Sequence, residues 1–288
     1  MGQNKKDLNL DQEVVDSFGH EWAAFDYSKT ETDQALDLQF AAYCSTIDFG
    51  SFNPATALAA DFGAGSGRWT SRLLPHFCLI YALEPSNGAV DVLRRKFTSQ
   101  KKIRVLQESV GVNSIPNETL DFAMSLGVLH HIPDTSLAIK DVARKIKPGG
   151  LFLCYLYYKL ETKPITYRAI FWCSNLLRRV ISLLPHIWRK KIAKLIAAIV
   201  YFPLARLARI MVNRGKDVSN FPLHHYANMP FIMLQNDALD RFGTRLEQRF
   251  NKVEISQMLA EAGFDLSTLT FSNVEPFWTF SVRKSSGE

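Results

Sequence analysis

The chain is poor in cysteine. Of 288 residues only Cys44, Cys78, Cys154 and Cys173 carry thiols, with no Cys-x-x-Cys pair among them. That argues against a zinc site and fits a reduced, cytoplasmic setting. The first eleven residues carry no apolar stretch of the kind an export signal needs. No uninterrupted apolar run reaches roughly 18 residues, so no membrane-crossing helix is expected. Acidic residues are missing altogether between Thr162 and Lys216, a span that holds twelve Lys and Arg. The net charge of +6 is therefore concentrated there, and the remainder of the chain is net acidic. Asymmetry of that kind marks a segment with its own role.

What is present centres on residues 59–68, Ala-Ala-Asp-Phe-Gly-Ala-Gly-Ser-Gly-Arg. The string reads as a short buried strand, a glycine-rich turn and the start of a helix. Glycines two apart permit a tight turn at positive φ and let a ligand reach the main chain with no Cβ in the way. A strand–turn–helix of this sort grips cofactors that carry a nucleoside. A dinucleotide fingerprint is Gly-x-Gly-x-x-Gly/Ala. Here the third glycine, Gly67, comes one residue early, position 68 is Arg, and Asp61 aims a carboxylate at the same turn.

Hydrophobic patterning and turn signals predict strands over 58–62, 79–83, 103–106, 120–126 and 151–156, with helices over 69–74, 88–97 and 135–146 between them. Asp134 is a natural N-cap for the last of these. A helix over 253–262, stopped by Gly263, and strands over 264–270 and 277–282 close the chain. Strands alternating with helices demand a parallel sheet with right-handed crossovers. Glu84 ends the second strand, where a carboxylate accepts hydrogen bonds from ribose hydroxyls; the alternative is a solvated strand-end acid. Glu108 and Ser109 follow the third strand, where they either meet a nucleobase edge or belong to an exposed loop.

The Gly-x-Gly-x-Gly turn after Asp61 resembles motif I of the class I S-adenosylmethionine (SAM)-dependent methyltransferases. Leu129-His130-His131-Ile132-Pro133-Asp134, then a helix, then Lys147-Pro148-Gly149-Gly150 and an apolar strand resemble the later motifs of that family, in particular its type 11 small-molecule members. The resemblance covers residues 55–157. It implies a Rossmann-like α/β fold: a seven-stranded, mostly parallel sheet with a final antiparallel strand. It also implies SAM as cofactor, no metal, and a cofactor site lined by Asp61, Gly63, Ala64, Gly65, Gly67, Glu84, Pro85, Glu108, Ser109 and Leu126. Phe18-Gly19-His20-Glu21-Trp22, with Phe25 and Tyr27, looks like the lid that precedes the core in many such enzymes. The expected division is a lid over 1–50, a core over 51–158, an insertion over 159–250 and closing elements over 251–288.

Two roles stand open for His130 and His131: taking a proton from the acceptor, or holding the turn, with one ring bonded to backbone and the other packed under the cofactor. Tyr27 and Tyr226 are further candidates on lid segments. Ser125-Leu126-Gly127-Val128 stands where amine-methylating relatives carry Asn/Asp-Pro-Pro-Tyr/Phe, which argues against methylation of nucleic-acid amines. No clustered acids suggest the magnesium-dependent catechol type.

The acid-free insertion reads as amphipathic helices: 174–184, ended by Pro185; 188–200, broken by Pro203; and 204–212. Ile192, Leu195, Ile196 and Ile199 are expected on one side of the second, and Lys190, Lys191 and Lys194 on the other. Three readings compete: a cap whose apolar stripe packs on the core and roofs the acceptor pocket, an element lying on an anionic membrane surface, or a basic surface for RNA or another polyanion. The charge-dense segment 240–250 is expected to shape the acceptor pocket. The function expected is methyl transfer from SAM to a small-molecule or lipid-like acceptor, in the cytoplasm or at the membrane periphery. An RNA or protein methyltransferase, or a SAM-binding partner without turnover, are the alternatives, and the oligomeric state is open.

Overall fold

The computed structural model describes residues 9–25, 33–161, 163–272 and 277–287; Tyr27 and Thr162 lie outside them. The chain forms two compact units, Met1–Lys159 with Leu246–Glu288, and Leu160–Arg245.

The first unit is built on a seven-stranded sheet of order β3-β2-β1-β4-β5-β7-β6. Its strands are β1 (Leu58–Phe62), β2 (Leu79–Leu83), β3 (Ile103–Leu106), β4 (Leu120–Leu126), β5 (Ile146–Tyr157), β6 (Phe264–Phe271) and β7 (Phe277–Lys284). β1 to β5 pair in parallel, and β7 runs antiparallel to both β5 and β6. β1 and β4 are apolar along almost their whole length because a parallel sheet is covered on both faces. Helices α1 (Gln12–Ala24), α2 (Asp33–Tyr43), α3 (Asn87–Lys96), α4 (Thr135–Lys145) and α9 (Lys252–Glu261) belong to this unit. Asp134 caps α4 by accepting from Leu137 N, and Asn251 and Glu254 cap α9 reciprocally. Phe77, Phe122, Phe152 and Phe280 are fully buried, and Phe77 stacks on Phe122 with centroids 5.4 Å apart.

The chain moves outward from β1 to β3, then crosses back to place β4 beside β1. This reversal is the topological switch point, where ligands enter α/β sheets at the carboxyl ends of the strands. The expected helix over 69–74 is a single 3-10 turn, Thr70–Leu73. Pro75 follows at once and cannot carry a helix further.

The second unit is helical: α5 (Ile165–Ile181), α6 (His186–Ile196), a π turn (Ala197–Tyr201), α7 (Phe202–Asn213) and α8 (Phe231–Gly243). Pro203 does not break the helix, which runs unbroken over His186–Asn213. The carbonyl four residues before the proline, that of Ile199, lies inside the wider π turn, so the ring is not driven against it. This helix is long and apolar enough to cross a membrane by length and composition, at odds with the expectation of none, and only 22% of its most apolar window is buried. The buried face is Ala193, Ala197, Tyr201, Ala205 and Ala208, while Ile192 and Ile196 are half-buried. Both α6 and the π turn pack on α8, as does α5. Small side chains at that spacing let two helix backbones approach closely, whereas Leu195 and Ile199 face outward.

Replacing Phe122 by Ala, in the middle of β4, should destabilise the first unit by ~3–5 kcal/mol. Urea unfolding followed by near-UV circular dichroism would measure the loss.

Candidate cofactor and acceptor site

The glycine turn closes the switch point from the β1 side. Gly63, Gly65 and Gly67 all have positive φ (82°, 55° and 72°). A Cβ on each would meet a neighbour within 3.0 Å: the Val128 side chain at Gly63, the Trp22 ring at Gly65, and Phe97 and Leu93 at Gly67. Position 68, where close helix packing would have called for Gly or Ala, holds an arginine that leaves the turn. Its guanidinium stacks over Trp22 (4.6 Å) and Trp69 (4.7 Å).

Glu84 is buried at the end of β2, and its carboxylate accepts from Gly65 N (3.1 Å) and Ser86 N (3.0 Å). One acid thus fixes both the tip of the turn and the entry to α3. Burial raises its pKa, against the pull of the Ser86 and Gly65 hydrogen bonds. A carboxylate has about four acceptor positions; the two used by these backbone donors leave others for hydroxyls brought by a ligand. Ser66 Oγ, in the same turn, is buried with no partner among the described residues.

Asp61, at the end of β1, is buried and accepts from Thr70 Oγ1 at 2.6 Å, a bond that braces the turn from within. Burial pushes its pKa up to about 7, against the Thr70 hydrogen bond and with a contribution from Glu84. Glu108 and Ser109 close their own loop: Glu108 accepts from Ser114 N and Oγ, and Ser109 Oγ accepts from Val112 N. Ala64 is buried inside the turn, Pro85 is half-buried beside Glu84, and Leu126 ends β4 on the opposite side of the switch point.

The β4 side carries the histidines. Gly127, at φ 79°, turns the chain into a short 3-10 segment, Leu129–His131. His130 is fully buried, its ring 3.9 Å from that of Tyr157 and 5.8 Å from that of Tyr155. Burial, with His131 and Arg249 nearby, lowers its pKa far below the ordinary value, so it is neutral. His131 Nδ1 lies 2.6 Å from the Leu246 carbonyl oxygen. A carbonyl only accepts, so this contact assigns the proton to Nδ1 and leaves Nε2 as the basic nitrogen. Phe18 of α1 packs 5.0 Å from the same ring.

The segment after residue 245 fastens this arrangement. Gln248 N donates to His130 O, and Gln248 Nε2 to Ile132 O. Arg249 lies over Tyr157 (4.9 Å) while pairing with Glu247 (2.8 Å). Helix α1 covers both sides of the site. Trp22 rests on Gly65, Phe18 rests on His131, and a Cβ at Gly88 would come 2.7 Å from Gly19 O, so α1 and α3 touch backbone to backbone. Tyr226 is buried in the second unit. Tyr155 and Tyr157 were missed at the sequence level, whereas Gln248 falls in the segment 240–250 that was expected to shape the pocket. The two tyrosines sit two apart at the carboxyl end of a predicted strand, a signal that places both on one face.

A nucleoside-bearing cofactor fits these residues: a Cβ-free turn, and a buried carboxylate with acceptor capacity at the carboxyl edge of the sheet. Comparison with known proteins decides which. Residues 60–154 match the family described as "Methyltransferase domain". These residues form a class I, SAM-dependent methyltransferase domain. Its cofactor is SAM. The methyltransferase domain is similar to a demethylmenaquinone methyltransferase of Bacillus licheniformis, 28% identical over 35% of this chain and 45% of that protein. It is also similar to a ubiquinone biosynthesis O-methyltransferase of Coxiella burnetii, 26% identical over 31% and 39%. The chain thus matches less than half the length of either curated relative. Human N-acetylserotonin methyltransferase, solved with SAM, shares the fold at a TM-score of 0.52 and 15% identity, over 93% of this chain and 56% of that one.

The Asp61 carboxyl gives the domain a pH signature. Folded, it holds its proton up to about pH 7; unfolded, it ionises near pH ~4. The folded state therefore carries an extra proton between those values, and the contribution of this group to stability falls as pH rises through that window. Asp61→Asn keeps an acceptor for Thr70. It should gain on the wild type progressively from pH ~4 to pH ~7, by up to ~4 kcal/mol, and level off above. Urea midpoints of both proteins at pH 5 and pH 8 measure this, and equal differences at the two would refute it.

Proposed function

We propose that the protein transfers the methyl group of SAM to a hydroxyl of a small, ring-bearing or lipid-like acceptor. The observation that carries this reading is the facing pair at the switch point: the Glu84-locked glycine turn on the β1 side, and a ring-lined histidine turn on the β4 side. SAM supplies a methyl group on a sulfonium, already a good leaving group, so the protein has chiefly to align the acceptor and exclude water.

Glu84 would hold the ribose hydroxyls, and the bare main chain at Gly63–Gly67 would let the nucleoside lie close. His130, Tyr155 and Tyr157 line the β4 side with apolar ring faces, which suit a flat acceptor and keep water out. His131 Nε2 would take the proton of the acceptor hydroxyl, its tautomer fixed by Leu246 O and its ring by Phe18. The ubiquinone biosynthesis O-methyltransferase among the relatives supports a hydroxyl acceptor, and the demethylmenaquinone methyltransferase a ring-bearing, lipid-like one. Entry requires α1 to yield, since Trp22 and Phe18 rest on the two reacting sides.

Calorimetric titration with S-adenosylhomocysteine should show binding by the wild type, weakened roughly 10- to 100-fold in Glu84→Ala, which removes a charged acceptor. With radiolabelled SAM and a panel of quinols, His131→Gln should keep that binding and lose about 10²-fold or more in turnover. A folded wild type that does not bind S-adenosylhomocysteine would sink the proposal.

A further inference from the structure

The second unit presents a face that its own packing leaves uncovered. Helix α8 packs on α6, on the π turn and on α5, while α7 packs on the short turn His224–Tyr226. Bulky apolar side chains point the other way. Ile199 is 64% exposed, Trp172 62% and Trp188 54%, and Ile170, Val180 and Leu195 are similarly bare. A soluble surface rarely shows so many large apolar groups together.

The cations of this unit fall into two sets. Arg178, Arg189 and Arg206 are structural. Arg178 donates to Thr244 O and Arg245 O, and Arg189 to Gly243 O, all at the carboxyl end of α8, where a positive charge meets the negative end of the helix dipole. Arg206 donates to Ala227 O and Met229 O just before α8. The others, among them Arg168, Arg179, Lys191, Lys194 and Arg209, are exposed on the same helices as the bare apolar residues. No acid occurs between Thr162 and Lys216 to neutralise them. Lys191 Nζ sits 5.0 Å over the Trp188 ring, the pairing of an aromatic belt with a cation at its rim.

We infer that this face docks the protein on an anionic phospholipid bilayer, with α5 and the 186–213 helix lying in the plane of the interface. The apolar side chains immerse while the unopposed cations meet lipid phosphates, the arrangement of interfacial amphipathic helices. A spanning position is disfavoured although the long helix passes on length. Its inner face carries Tyr201, hydrogen-bonded to Asp237 of α8. Asp240 and Arg241 lie on the same helix. Sinking the whole helix would draw those charges into hydrocarbon. The inference rests on the second unit alone and stands or falls apart from the methyl-transfer reading.

The test is co-sedimentation of the full chain with vesicles of phosphatidylcholine alone, or with ~30% phosphatidylglycerol. The wild type should bind the anionic vesicles at least tenfold better, and 0.5 M salt should weaken the binding. Lys191→Glu with Lys194→Glu, and separately Trp188→Ser with Ile199→Ser, should each lower it tenfold or more. Both variants change exposed residues, and circular dichroism and S-adenosylhomocysteine binding should stay as in the wild type. Brominated lipids should quench Trp172 and Trp188 at shallow depth. A folded wild type that stays in the supernatant with anionic vesicles would overturn the inference. A stable dimer that Trp188→Ser with Ile199→Ser converts to monomer, without vesicle binding, would assign the face to a second copy of the chain. Retention after alkaline carbonate, released only by detergent, would mean that the helix spans.

Discussion

The constraint on which the first unit turns is the absence of three Cβ atoms. Gly63, Gly65 and Gly67 take left-handed backbone, and each is also the point where a different neighbour comes within 3.0 Å of where its Cβ would lie. Val128 brings in the β4 side, Trp22 the helix α1, and Phe97 with Leu93 the helix α3. The turn is therefore the junction of four chain segments. A side chain at any of these positions would meet strain in φ and a clash at once. Glu84 completes the junction by tying Gly65 to the start of α3.

Buried polar groups around this junction divide by purpose. Asp61 satisfies Thr70 inside the turn and keeps its proton near neutrality because burial, with Glu84 nearby, outweighs the Thr70 hydrogen bond and the Arg68 charge. Glu84 pays a similar desolvation penalty but spends only part of its acceptor capacity on backbone. On the opposite side His130 is held neutral among rings, and His131 is oriented by a carbonyl from beyond the second unit's sequence. The histidine turn thus depends on residues 246–250, which come more than a hundred positions later in the chain. Arg249 and Glu247 neutralise each other there rather than facing a ligand as single charges.

The second unit follows a different logic. Its helices join through alanines, and three arginines cap carbonyls at the two ends of α8, so the packing consumes little of its bulky apolar surface. Large side chains are left outside, beside exposed cations such as Lys191 and Lys194. That inverts the usual sorting of residues, in which the apolar face of a surface helix turns inward.

The sequence by itself determined the sheet. Runs such as Leu-Ala-Ala-Asp-Phe and Leu-Asp-Phe-Ala-Met-Ser-Leu, separated by glycine and proline signals, fix buried parallel strands, because periodicity and turn chemistry are local properties. The glycine spacing and Glu84 marked the tight turn after β1 for the same reason. Tertiary structure alone decided which way side chains face and what they bond. Asp61 accepts from Thr70, Glu108 accepts from Ser114, and alanines rather than isoleucines form the buried stripe of the long helix. Pro203 read as a break because a propensity argument does not foresee a π turn. Each of these outcomes depends on partners distant in sequence, and pairing at a distance is set by packing and desolvation, which no single stretch of residues encodes.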